Sequence, residues 1–255
     1  MSESFDRNKL AEEVSKIDSQ IAVLAELKRQ YLTTLSAAEY PDLPPKITKQ
    51  FSPEEKISLF RSRLRGREDV YARRWESRAG KSGYSPACKH EWDRVLCRKP
   101  ALRCADCQNR EFLPFNENTV YKHLEGELVA GVYPLLSNDT CFFLAMDFDG
   151  DSWLEDIAAI REACVFEKVL VAVERSRSGN GGHVWVFFSE EVPASLARRL
   201  GTCLISKTMV KRCQLAMKSY DRLFPNQDIM PQGGFGNLIA LPLQKEAVLA
   251  GNSVL

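Results

Sequence analysis

TCFFLAMDFDGD, residues 140–151, is an apolar run that ends in carboxylates. A run this short, closed by a turn signal at Gly150-Asp151, reads as a buried β-strand rather than a helix. On a strand, residues two apart share a face about 6.5–7 Å from each other. Asp147 and Asp149 therefore project together while Phe148 turns into the core. Hard oxygen ligands of this kind suit Mg2+ or Mn2+. Such ions serve phosphoryl transfer, where they activate an attacking oxygen and neutralise charge on the leaving phosphate. A DxD pair alone is a weak signal, because aspartates also end strands and open turns.

The flanking text alternates helix and strand patterns. Downstream, residues 152–165 read as a helix, and KVLVAVERS (168–176) and HVWVFFS (183–189) as two further strands. PASLARRLGTCLISKTMVKRCQLAMK (193–218) reads as a long helical region, PNQDIMPQGGFGN (225–237) as turns and LIALPLQ (238–244) as extended. Upstream, NENTVYKHLEG (116–126) is helix-like and GVYPLL (131–136) is apolar. The order implies an α+β fold with a mixed or antiparallel sheet and flanking helices.

Between the second and third strands lies SRSGNGGH, residues 176–183, a glycine-rich hairpin loop. Exposed backbone N–H groups, the Arg177 guanidinium, the Ser178 hydroxyl and His183 form a set that can wrap phosphates. It is not a Walker A loop, since no Lys-Ser/Thr follows and no helix begins there. For a third acid the pattern points to Asp228 in LFPNQDIMP, read as a short strand beside the DFD strand, with Asp221 and Asp151 as rivals.

Eight cysteines divide into four scattered singles and one cluster, Cys88, Cys97, Cys104 and Cys107, spaced C-x8-C-x6-C-x2-C. Four thiolates make a closed structural Zn2+ site without a position for catalytic water. His90 competes for one corner, although C-x-H is a tight spacing for two ligands on one ion. A segment this poor in apolar residues would draw its stability from the metal.

Charge is spread unevenly. The 255-residue chain carries a net charge of +1, yet residues 61–110 hold fourteen Lys and Arg against six Asp and Glu. A local basic stretch interleaved with Trp75, Tyr84 and Trp92 suits a nucleic-acid strand, by phosphate contact and base stacking. This stretch opens with a helix at Ser52-Pro53-Glu54-Glu55, a capping-box signature, and the helical reading runs on through ISLFRSRLRGREDVYARRW with a break or kink at Gly66. Ahead of it lie a Pro-rich linker, residues 41–50, and an N-terminal helix, residues 1–40. In that helix Leu10, Val14, Ile17, Ile21 and Leu24 recur with heptad-like steps, a pattern that serves self-association or a docked partner. No apolar run is long enough to span a membrane and the N-terminus lacks the form of a signal peptide, so a cytoplasmic location is expected.

Taken in chain order, LRGREDVYARRW (64–75), GKSGYSPAC (80–88), the HLEG, GVYPLL and DTCFFLAMDFD run (123–149), SRSGNGGHVWVFF (176–188) and GGFGNLIALPLQ (233–244) resemble the archaeo-eukaryotic primase superfamily. They are most similar to the primase domains of TOTE conflict systems, relatives of CRISPR-associated primase-polymerases. The resemblance covers roughly residues 55–250. It implies an RRM-like catalytic core over 115–255, preceded by a basic, zinc-binding region over 51–114. It also implies a DNA-templated primase-polymerase using nucleoside triphosphates and Mg2+ or Mn2+, with a helicase in the same or a neighbouring chain. Asp147, Asp149 and Asp228 would hold the catalytic metals, and His183 would meet the triphosphate with Arg177 and Ser178, Asn237 assisting. Many members have Ser two residues before the His, where this chain has Gly181. Two other readings stay open: a non-catalytic zinc module that docks nucleic acid, and a metal-dependent nuclease.

Overall fold

The computed structural model describes residues 7–39, 50–211 and 217–255. Helix α1 (Arg7–Glu39) belongs to one unit and residues 52–255 to another. In α1 the side chains of Val14, Ile17, Ile21 and Leu24 are exposed. The Pro-rich linker lies outside the described residues except at its last position.

The second unit opens with α2 (Pro53–Arg63). Both halves of the capping box form, Ser52 accepting from the Glu55 N–H and the Glu55 carboxylate accepting from the Ser52 N–H. The helix is shorter than the sequence suggests. It stops at Arg63, and Ala72–Glu76, expected as its continuation, is strand β1. Pairing decides this: β1 lies between β2 (Ser82–Pro86) and β3 (Ala130–Val132), and ladder bonds on both edges override local helix preference. Gly66 marks the change, because a Cβ there would sit 2.5 Å from the Tyr133 carbonyl oxygen.

Between β2 and β3 come the cysteine-rich segment, with one 3-10 turn at Cys104–Asp106, and α3 (Glu117–Leu124), capped by Asn116. Then follow β4 (Thr140–Asp149), α4 (Trp153–Phe166), β5 (Ala172–Arg175), β6 (Gly181–Pro193) and α5 (Ala194–Lys211). The chain closes with β7 (Tyr220–Phe224), β8 (Ile239–Ala240) and α6 (Lys245–Leu249). Two four-stranded sheets result, ordered β2-β1-β3-β8 and β5-β6-β4-β7, with every pairing antiparallel. The first sheet joins strands of the basic stretch (β1, β2) to strands of the later region (β3, β8), so 51–114 and 115–255 are built into one sheet.

Strand β4 is apolar without alternation because both of its faces are covered. Leu144, Met146 and Phe148 pack with Ile157, Ile160 and Leu204 beneath α4 and α5. Phe143 and Ala145 face the other way, into a core shared with Phe60, Val120, Val132, Trp185 and Ile239. Asp147 and Asp149 continue this second series, so the carboxylates emerge where the core between the two sheets runs out.

Candidate active site

Sheet register assembles the site. Residue Glu174 on β5 pairs with His183 on β6, His183 with Asp147 on β4, and Asp147 with Arg222 on β7, giving four neighbours in one row. Hydrogen bonds follow the row. The imidazole Nδ1 of His183 lies 2.9 Å from Glu174 Oε2, and its Nε2 lies 3.3 Å from Asp147 Oδ1. Trp185 Nε1 donates to the same Glu174 oxygen at 3.0 Å. Burial opposes charge on His183, but the hydrogen bonds its ring donates to Asp147 and Glu174 outweigh it and raise its pKa to about 10. That balance favours the charged form of the ring, which sits between the side chains of Asp147 and Glu174.

Asp147, Asp149 and Asp221 each offer an oxygen within 4.8 Å of the others, and this is the one such group of His, Cys, Asp or Glu among the described residues. A bulge brings Asp221 there. Between Asp147 and Phe148 the β4–β7 register shifts, so Arg222 pairs with Asp147 and Tyr220 with Phe148, leaving Asp221 as the extra residue. In an unbroken strand Asp221 would point away from Arg222, toward the α4–α5 side; the bulge re-aims it onto the acid face. Burial and the charges of Asp147 and Asp221 hold the Asp149 carboxyl above its usual value. Three carboxylates gathered this closely are suited to a divalent cation, and their hard oxygens match Mg2+ or Mn2+.

The expectation for Asp228 is corrected. Strand β7, the partner of the DFD strand, is Tyr220–Phe224, and Asp228 lies in the loop beyond it, ion-paired to Arg198 of α5. The rival Asp221 takes its place because strand pairing and the bulge, invisible in linear order, choose the neighbour.

The glycine loop lies where expected. Ser178 Oγ is 3.0 Å from Ser176 Oγ and accepts from Asn180 N–H. The Arg177 guanidinium reaches the Tyr84 hydroxyl on β2, a residue that burial already holds in its neutral form. Asn237 spends its amide on the backbone, donating to the Leu223 carbonyl at 2.9 Å and accepting from Asn226 N–H at 3.1 Å. It ties down the end of β7. The Gly181 departure has a local cause: a Cβ there would meet Asp149 Oδ1 at 2.3 Å and the Phe148 carbonyl oxygen at 2.4 Å. Glu174 and Arg222 were missed from sequence, since only the register reveals them as neighbours of His183 and Asp147.

Cys88, Cys97, Cys104 and Cys107 line one cavity of about 20 Å3, room for a single small guest. Burial raises the Cys104 thiol, with the nearby Cys97 and Cys88 adding to the effect. No three of these sulfurs lie within 4.8 Å of one another. Four thiols are a donor set that suits zinc. His90 is turned toward Glu111, its Nε2 at 3.2 Å. In the basic stretch, Arg61, Arg67, Arg73, Arg74, Lys89, Lys99 and Arg103 have acidic partners, so part of its charge is spent on the fold.

Among the described residues no helix is long and apolar enough to cross a membrane. Residues 55–255 match the family model of the archaeo-eukaryotic primase domain of TOTE conflict systems. Among solved structures, the polymerase domain of ligase D from Mycobacterium tuberculosis, in complex with DNA, is similar at 14% identity. That match covers 75% of each chain with a TM-score of 0.42. No curated protein matches the chain.

Proposed function

Because the chain belongs to the archaeo-eukaryotic primase family of TOTE conflict systems, we propose that it is a DNA-templated nucleotidyltransferase, a primase-polymerase that joins nucleoside triphosphates and releases pyrophosphate. The observation that carries the reading is the meeting of Asp147, Asp149 and Asp221 within 4.8 Å, beside the glycine-rich loop that leads into His183. These three carboxylates would hold Mg2+ or Mn2+, which supplies activation of the attacking 3′-hydroxyl and neutralisation of the phosphates. The protein's own groups do the rest. Backbone N–H groups of the 176–183 loop, with Arg177 and Ser178, seat the triphosphate. His183, oriented by Glu174, presents a cationic edge beside Asp147, where charge on the phosphates gathers. The exposed Trp92 and the basic residues around it lie on the stretch assigned to the template strand. Zinc in the four-cysteine cavity would hold that stretch in shape.

The test is a templated reaction with labelled nucleoside triphosphates, with and without primer, in Mg2+ and in Mn2+. Extended product that disappears in Asp147→Ala and Asp149→Ala, with DNA binding kept, is the expected result. Undiminished synthesis by both variants refutes the assignment. Shortening of labelled DNA without added triphosphates points to hydrolysis instead, and binding without any metal-dependent product points to a non-catalytic module.

A further inference from the structure

Helix α4 carries a carboxylate for which the proposed reaction has no direct use. Asp156 is 1% exposed, and among the described residues no cation pairs with it. Its Oδ2 instead accepts three hydrogen bonds, from Ser152 Oγ at 3.1 Å, Ser219 N at 3.2 Å and Ser219 Oγ at 2.6 Å. Burying an acid without a cation is costly, so what it grips matters. Ser219 stands two residues before Asp221, at the mouth of the bulge, and its carbonyl accepts the Asp149 N–H at 2.7 Å. One buried side chain thus fixes a residue that touches the backbone of the second acid and sets the start of the strand bearing the third.

We propose that Asp156 is a positioning residue for the acid cluster: by clamping Ser219 to α4 it holds the β7 bulge that aims Asp221 at Asp147 and Asp149. The proposal rests on the reading of those three acids as metal ligands. A bulge is a locally weakened ladder, so without an outside anchor its extra residue can slip back into register and swing away. Asp156 supplies that anchor from a different element.

The experiment titrates the full chain with Mn2+, following the EPR signal of the free ion, at a temperature where melting curves show every variant folded. Asp156→Ala should weaken Mn2+ binding by about tenfold or more, the range typical of groups that orient metal ligands. Its nucleotide incorporation should fall in parallel and recover partly when Mn2+ is raised. Asp156→Asn should stay within about threefold of the parent, because its amide oxygen still accepts from Ser219 while the Ser152 hydroxyl turns to accept from its amide N–H. Should Asp156→Ala fail to fold, Ser219→Ala, which removes only the hydroxyl, should show a smaller weakening in the same direction. Parent-like Mn2+ affinity in folded Asp156→Ala, or in Ser219→Ala, overturns the proposal. A parent protein that binds no Mn2+, or binds it unchanged in Asp149→Asn, overturns the metal reading itself and this proposal with it, a result distinct from the first.

Discussion

Asp149→Asn separates the demands of catalysis from those of folding. Asp149 has an oxygen within 4.8 Å of oxygens on both Asp147 and Asp221. Coulomb's law puts each like-charge pair at that distance near 1 kcal/mol in bulk water and near 3.5 kcal/mol at an effective dielectric of about 20. Asp149 is solvent-exposed, so the lower figure applies, and the cations His183 and Arg222 cancel part of it. A net of about 1 kcal/mol remains, and replacing the carboxylate by an amide of the same shape should recover it. For a domain of this size that is a rise in Tm of about 2–4 °C. The assay is differential scanning fluorimetry in EDTA and then in Mn2+. In EDTA the variant should melt above the parent. In Mn2+ the order should reverse: the parent gains about 2.7 kcal/mol once the ion reaches a hundred times its Kd, while the variant gains little and incorporates no nucleotide. A variant that melts lower in EDTA, or keeps the full Mn2+-induced rise, refutes the reasoning.

Further outcomes follow from single contacts. Buried His123 accepts the Ala130 N–H at Nδ1 and donates from Nε2 to the Pro242 carbonyl, and burial lowers its pKa to about 4. The unfolded chain therefore takes up this proton below about pH 6.5 and the folded chain only below about 4, so stability should fall as pH drops through that window, by up to about 3 kcal/mol. Urea unfolding at several pH values should show the slope, and His123→Gln should flatten it. His183→Ala strands the Glu174 carboxylate, 2% exposed, and should cost about 3–5 kcal/mol in chemical denaturation; adding Glu174→Gln should return much of that loss without restoring activity. Gly181→Ala, which forces a Cβ against the Phe148 carbonyl oxygen, should lower stability by about 1–3 kcal/mol and depress incorporation, whereas an unchanged Tm would show that the strands separate freely. Elemental analysis should find one zinc per chain, lost in Cys104→Ser and Cys107→Ser together with proteolytic resistance of the 88–107 segment.

Much of the layout was legible because it is local. The capping box at Ser52-Glu55, the strand ending in Asp147 and Asp149, the helix after it and the glycine hairpin before His183 are each written in contiguous residues, and each formed. Reading ARRWE as helix failed because a strand with partners on both edges need not announce itself. Reading a strand at Asp228 failed for a related reason: the strand beside DFD lies a few residues earlier, and its acid lies on a bulge that no periodicity records.

By itself the sequence determined which groups are available: two acids at strand spacing, a glycine-rich loop with a histidine, a four-thiol cluster and a basic stretch. These depend on side-chain chemistry and on the fixed periods of helix and strand, which any short window reveals. Only the tertiary structure decided which distant groups meet. Cross-strand register set Glu174 against His183 and His183 against Asp147, and a single shifted ladder bond turned Asp221, not Asp228, toward them. Register and bulges arise from pairing energies summed over whole sheets and from anchors such as Asp156 on another element, so no local pattern of residues can carry them.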